Sequence, residues 1–381
     1  MHRNQRIKLP LFVLSLSILL AFVSSTVHAQ EGLGEGWDDG GLDLMSLMEL
    51  DVVVAATGKA TSLKDAPAIV SVINQNDIRA AGYRTVADAL RSVPGLSIID
   101  DHVETNIGIR GFFPNGDSAS DTVKLMINNQ PVAFRPTSSN FFGFDLIPIE
   151  AVKRIEVIRG PASALYGANA YLGVVNVITK TGNDLDDESF GGVGDGQFYM
   201  AKTNESMNMN GSGSLLTGGN FDGVEVLLAG TYSNADRSGL ELPEVSPSSF
   251  SDTLSQNDTA NEASVYGQVS TDLGDDAEYG KLRLDGHFQL RNKSGEFLGD
   301  TALTHGTIIG QSNFFARLEY DSPMPEEGEG FYWDLSLSFA QSAVTDADSI
   351  VDASLAGFTL ERDFSGQAMS GKLELNYGFS D

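Results

Sequence analysis

Along the second half of the chain, apolar and polar residues alternate one for one. From Lys281 to Arg291, Leu282, Leu284, Phe288 and Leu290 fall on one side, and every residue on the other side is polar or charged. Phe331 to Phe339 and Lys372 to Phe379 repeat the pattern, and Phe314 to Tyr320 and Val224 to Tyr232 follow it less cleanly. A period of two sends successive side chains to opposite faces of a sheet, so these runs predict strands. Turn-rich polar stretches, such as Ser233 to Glu262 and Gln341 to Asp352, lie between them. Two architectures share this pattern. A soluble sandwich buries the apolar face, whereas a lipid-embedded barrel turns it outward and lines a wet lumen with the polar face. The runs last about 9–11 residues, the length that a tilted membrane-spanning strand requires. Aromatics near strand ends (Tyr320, Phe331, Trp333, Tyr377 and Phe379) suit the interfacial girdles of a barrel.

The segment from Asp51 to Gly182 reads differently. Ala68 to Ile73 is a short β-prone run, and Asn76 or Asp77 is expected to cap a helical stretch that ends at Gly82. Thr85 caps a second short helix reaching Leu90, and Pro94-Gly95 stops it. Ser97 to Ile99, Asn106 to Arg110, Val123 to Ile127, Ile149 to Ile158 and Val174 to Thr179 predict strands. Asn128-Asn129 suits a tight turn, because Asn tolerates positive φ, and Gly160-Pro161 forces another. The sum is a small α+β domain.

At the N-terminus, Arg3, Arg6 and Lys8 precede an apolar run from Leu9 to Val23, and Val27-His28-Ala29 offers small residues before Gln30. This three-part layout predicts a secretory signal peptide over residues 1–29. The apolar run is shorter than the ~20 residues a spanning helix needs. Residues 30–50 form an acidic, Gly-rich leader with nothing to build a core.

Composition narrows the function. None of the 381 residues is cysteine, which excludes a disulfide scaffold, a thiol nucleophile and Cys-ligated metal centres. A net charge of −28 argues against nucleic acid, whose phosphates need clustered Lys and Arg. The charge is uneven: residues 31–182 hold 18 acids and 12 bases, and residues 183–381 hold 34 and 9, which marks a boundary near 182. The histidines show no metal-ligand spacing. The adjacent acids, such as Asp100-Asp101 and Asp275-Asp276, carry no general acid–base signature. No enzyme activity, metal or cofactor is expected.

Six stretches follow one another between Asp51 and Thr181. They are Asp51 to Ala56, Asp65 to Ile73, Leu90 to Leu96, Ile109-Arg110-Gly111-Phe112, Leu125 to Val132, and Ile149 to Ala170 running into Gly173 to Lys180. In this order they resemble the plug domain of TonB-dependent outer-membrane receptors. The resemblance implies an α+β plug domain over 51–182, followed over 183–381 by antiparallel transmembrane β-barrel strands. The family's plug sits in a barrel of about 22 strands, whereas the residues after 182 allow roughly 7–9. The barrel in this chain is therefore expected to be incomplete, as in a fragment of a longer receptor or a truncation.

The resemblance also implies a place in the Gram-negative outer membrane, in contact with its lipid. The implied activity is import of a scarce extracellular small molecule, such as a siderophore or other metal chelate. TonB, a periplasmic protein, would supply the energy by pulling on a box formed by Leu50, Asp51, Val52, Val53, Val54, Ala55 and Ala56. Consecutive valines favour an extended backbone, which can add as a strand to a partner's edge. The alternative is that Val52 to Val54 are the plug's own first strand. Arg110 and Arg159 are implied as a lock against acids of the barrel wall, with packing inside the plug as the alternative. Phe112, Phe113, Phe134, Arg135, Phe141 and Phe142 lie in loops that touch the ligand in the family; plain loop anchoring is the alternative. A signalling receptor would need a further periplasmic domain before the box, for which residues 30–49 are too few. A secreted adhesin or glycan-binding β-protein would fit the alternation after 182 equally well.

Overall fold

The computed structural model describes residues 52–53, 61–62, 69–100, 105–112, 122–137, 140, 142–143, 146–185, 191–202, 207–239, 254–296, 305–323, 325, 330–352 and 358–378. The expected signal peptide and leader lie outside these residues, as do Leu50, Asp51, Val54, Ala55, Ala56, Phe113, Phe141 and Phe379.

Two short strands come first: β1 (Val52–Val53) pairs antiparallel with β2 (Thr61–Ser62). The α+β domain then runs through β3 (Ile69–Asn74), helices α1 (Gln75–Ala81) and α2 (Val86–Leu90), and the hairpin of β4 (Leu96–Asp100) with β5 (Thr105–Ile109). It continues with β6 (Val123–Ile127), β7 (Gln130–Pro131), β8 (Val152–Arg159), helix α3 (Ser163–Tyr166) and β9 (Gly173–Thr179). Five of these strands form one sheet in the order β3-β8-β9-β6-β7, with β6 parallel to β9 and the other pairs antiparallel.

Local chemistry explains most boundaries. Gly82 at φ 67° closes α1, its N–H bonding Arg79 O, and Thr85 Oγ1 accepts the Asp88 N–H to start α2. The cap of α1 is Asn74, not Asn76 or Asp77. Asn74 Oδ1 accepts from Asp77 N at 2.9 Å, and Asp77 Oδ2 accepts from Asn74 N at 3.1 Å, so Asp77 is the second half of a capping box. The run from Ile149 begins as one 3-10 turn, Ile149–Ala151, and becomes strand only at Val152. Asn128 and Asn129 both take positive φ (47° and 67°) in the two-residue turn joining β6 to β7.

The second half is a wall of eight consecutive antiparallel strands. They are β10 (Gly191–Lys202), β11 (Met207–Phe221), β12 (Val224–Asp236), β13 (Thr259–Asp272), β14 (Lys281–Ser294), β15 (Ile308–Asp321), β16 (Gly330–Val344) and β19 (Ser365–Gly378). A small pair, β17 (Ile350–Asp352) with β18 (Phe358–Leu360), stands between the last two. Strands β10 and β19 end the sheet order without pairing with each other, so the barrel is unclosed. Each wall strand has 12–15 residues, more than the expected 9–11. The ladder continues into polar ends such as Ser233 to Asp236, so both turn-rich stretches begin as strand. Backbone pairing does not stop where apolar alternation stops.

The two faces of the wall are inverted relative to a soluble sheet. On β14, Leu284 is 54% and Phe288 38% exposed, while Asp285, His287, Gln289 and Arg291 are at most 2% exposed. Burying a charged row and exposing an apolar one is unfavourable in water and suits hydrocarbon outside with protein inside. The inward side chains Leu216, Leu227, Ala229, Tyr266, Phe315 and Ala340 join one core with the α+β domain. The connections after β11, β13 and β15 span 2, 8 and 8 residues at one end of the wall, and those after β10, β12, β14 and β16 span 4, 22, 13 and 20 at the other, which is the long-link end. Aromatic pairs Tyr320–Trp333 (4.9 Å) and Phe331–Tyr377 (4.8 Å) gather at the short-link end.

Candidate functional site: the plug against the wall

The wall grips the α+β domain most closely at the β6–β7 turn. Asn128 Oδ1 accepts from Thr179 N at 3.0 Å, and its amide donates to Thr179 Oγ1 and to Tyr266 Oη, both at 2.8 Å. Asn129 N donates to Asn176 Oδ1 at 3.0 Å, and Asn129 Oδ1 accepts from Asn176 Nδ2 at 2.9 Å. From the wall, the Arg317 guanidinium donates to the Asn128 carbonyl. Arg317 is itself held by Asp285 at 2.9 Å and Glu319 at 3.0 Å.

Other inward positions reach neighbouring plug segments. His287 Nε2 bonds Leu146 O at 2.6 Å, and Asn313 Nδ2 donates to Val132 O at 3.4 Å. Arg135 N donates to Ser342 Oγ and Ser214 Oγ to Glu150 Oε2, each at 3.1 Å. Asn128 was legible in the sequence only as a turn residue. Arg317 and His287 were legible only as members of a polar face, because period-two alternation carries no information about what that face will meet, and Tyr266 lies on β13, which none of the alternating runs covered.

The residues singled out from sequence are dispersed. Of the box, the described Val52 and Val53 pair with Ser62 and Thr61. Arg110, at φ 54°, is exposed and donates to Arg159 O at 3.0 Å, while Arg159 donates to Pro94 O at 2.5 Å and Ser71 Oγ at 2.9 Å. Both arginines therefore bond within the plug, tying β8 to the β3 and α2–β4 segments. Phe112 is exposed beyond β5, and Arg135 is exposed just after β7. Phe134 and Phe142 are buried. Phe134 packs against Phe364 at 6.1 Å, whose ring also lies 5.6 Å from the Arg362 guanidinium, and Phe142 joins the core.

Between α1 and the wall a cavity of about 240 Å³ is lined by Gln75, Arg79, Glu150, Lys180, Asp195 and Ser214, among others. Burial, and then the neighbouring Arg79, hold the Lys180 ammonium below its usual pKa. Among the described residues no group of three His, Asp or Glu side chains could hold a metal ion. What the arrangement can do is mechanical. A hydrogen bond is worth a net ~0.5–1.5 kcal/mol and water can replace it, so a plug held this way can be released in steps.

The family model for the TonB-dependent Receptor Plug Domain matches residues 62–174. The iron-regulated outer membrane virulence protein of Vibrio cholerae is 40% identical over 134 residues, 34% of this chain and 20% of that protein. The ferric enterobactin receptor PirA of Pseudomonas aeruginosa is 32% identical over 189 residues, 44% of this chain and 24% of that one. Among solved structures, the ferric-catecholate import receptor Fiu of E. coli K12 matches with a TM-score of 0.56 at 15% identity. That match covers 87% of this chain and 49% of that one. The siderophore receptor PirA of Acinetobacter baumannii matches at 0.55 and 19% identity, over 80% and 44% of the two chains. These structural likenesses are of fold. The chain spans a fifth to a quarter of the two curated relatives and just under half of the two solved structures. Residues 62–174 thus carry the plug domain of TonB-dependent receptors, and the antiparallel strands of an unclosed barrel follow it, a fold similar to that of solved outer-membrane import receptors.

Proposed function

We propose that this chain forms part of a gated receptor that imports a scarce, bulky small molecule, a siderophore or other metal chelate, across the outer membrane. The observation that carries the reading is a wall with its apolar face outward that holds, on its polar face, a plug secured by separable hydrogen bonds. The long-link end would face outside and the short-link end the periplasm, as in other outer-membrane barrels. Relatives named for ferric enterobactin and for iron regulation support a ferric siderophore as the ligand class.

In this reading, residues 1–29 direct export, 30–50 are a leader, 51–182 the plug and 183–381 barrel wall. TonB engages Leu50 to Ala56 by strand addition, and the two-residue β1–β2 ladder is short enough to be exchanged for a partner's edge. Arg110 and Arg159 serve as a lock against acids of the barrel wall, their bonds within the plug holding both guanidinium groups in place for it. Exposed Phe112 and Arg135, with Phe113 and Phe141, meet the ligand, and Phe134 and Phe142 set the loops that carry them.

The test is uptake of radiolabelled iron supplied as a ferric catecholate, with vitamin B12 as a second probe, in cells with and without TonB. Uptake of either that depends on both the receptor and TonB is expected. A receptor recovered in the aqueous fraction, or uptake indifferent to TonB, would overturn the reading.

A further inference from the structure

We infer that the Asn128-Asn129 turn is a point at which two strands of this wall hold the plug together, with Asn128, Tyr266 and Arg317 as positioning residues for gating. The inference rests on the import reading above and names the part of the molecule that sets its resting state. The turn is stiff. Both residues have positive φ, and their side chains bond back to Thr179 and Asn176 of β9, so the turn cannot move without the plug's central sheet.

The wall reaches this turn from two strands. On β13, Tyr266, fully buried, accepts a hydrogen bond from the Asn128 amide, and its hydroxyl donates to Gln268 Oε1 at 3.0 Å. On β15, Arg317 bonds the Asn128 carbonyl, and Asp285, directly across on β14, fixes the guanidinium in place. A side-chain amide and a main-chain carbonyl of one residue are thus read by two wall residues aimed at it. The hold is also releasable. Around it, Ser270 Oγ, Arg283 Nε and Arg317 Nη2 are buried polar atoms with no protein partner among the described residues, so the wall offers spare donors and an acceptor to which a displaced plug group or an entering water can bond.

The experiment uses cells producing the receptor without added ligand and reads entry of a bulky glycopeptide antibiotic, vancomycin, as growth inhibition. Asn128→Gly keeps a residue at ease with positive φ and removes the amide, and Tyr266→Phe removes one hydroxyl. Tyr266→Phe, which breaks one bond from wall to turn, is expected to raise vancomycin sensitivity about two- to tenfold, the range set by one net hydrogen bond, and Asn128→Gly, which also loses the two bonds to Thr179, at least as much, both at an unchanged amount of receptor in the outer membrane. The double variant is expected to leak no more than Asn128→Gly alone, because both changes remove one shared bond. Arg317→Lys should restore part of the resistance that Arg317→Gln loses. Met369→Leu, on the exposed outer face, is the control. Leakage of Asn128→Gly and Tyr266→Phe equal to that control, or additive leakage in the double variant, would overturn the inference. A wild-type receptor that is indifferent to TonB would instead overturn the import reading and leave the leakage comparison readable.

Discussion

Gly173 opens β9 where two other segments leave no room for a side chain. A Cβ there would lie 2.5 Å from Ile158 O and 2.9 Å from Ile109 Cδ1, and the first of these is backbone that cannot swing aside. Gly173→Ala should therefore destabilise the plug by roughly 1–3 kcal/mol, read as a lowered Tm of the plug transition; an unchanged Tm would contradict the close approach. Tyr166 makes a pH prediction. Burial first, then Glu156 and Glu374, push its phenol from 10.0 up to about 12. The folded state keeps a proton that the unfolded state has lost, so stability present below pH 10 is lost as the pH rises toward 12. Tyr166→Phe should flatten that loss in thermal melts, and an unaltered alkaline slope would assign it to other groups. Residues whose role is local were the legible ones. Gly82 and Thr85 act on their own turn of helix. Asn74 was missed because its cap becomes visible only with its reciprocal partner Asp77, and Asn128 because half of its partners lie far along the chain on β13 and β15.

At the scale of an element, period-two alternation identified wall strands but not which face they would bury. The same Leu284, Phe288 and Leu290 would point inward in a sandwich. Strand length was underestimated for a related reason: alternation reports the apolar belt, whereas ladder bonds carry β12 on to Asp236. Since Phe288 lies on the outer face within the belt, Phe288→Arg should cost about 2–4 kcal/mol of stability in lipid vesicles, the range for a cation near the bilayer midplane. Equal stability of the variant and wild type in vesicles would place that face away from lipid. The cap of α1 offers a smaller effect, with Asn74→Ala expected to lower plug stability by about 1 kcal/mol.

For the whole molecule, six sequence stretches in order named the plug, and the structure adds how it is seated. Inward residues of β11, β13, β14, β15 and β16 bond it, a set that no local pattern could have assembled. If the box works by strand addition, Val53→Pro should abolish TonB-dependent uptake while leaving ligand binding at the cell surface intact. Unchanged uptake would remove the box from residues 50–56. Beneath all of this lies the inverted wall, apolar face to lipid and polar face to plug. The chain has no cysteine, so Leu284→Cys, Phe288→Cys and Ser264→Cys each place one thiol, the first two outward and the third inward. With each thiol carrying a nitroxide attached before refolding into lipid vesicles, oxygen dissolved in the bilayer should relax the label strongly at 284 and 288 and weakly at 264. Strong relaxation at 264, or relaxation of 284 and 288 only by a water-soluble paramagnetic reagent, would contradict the account.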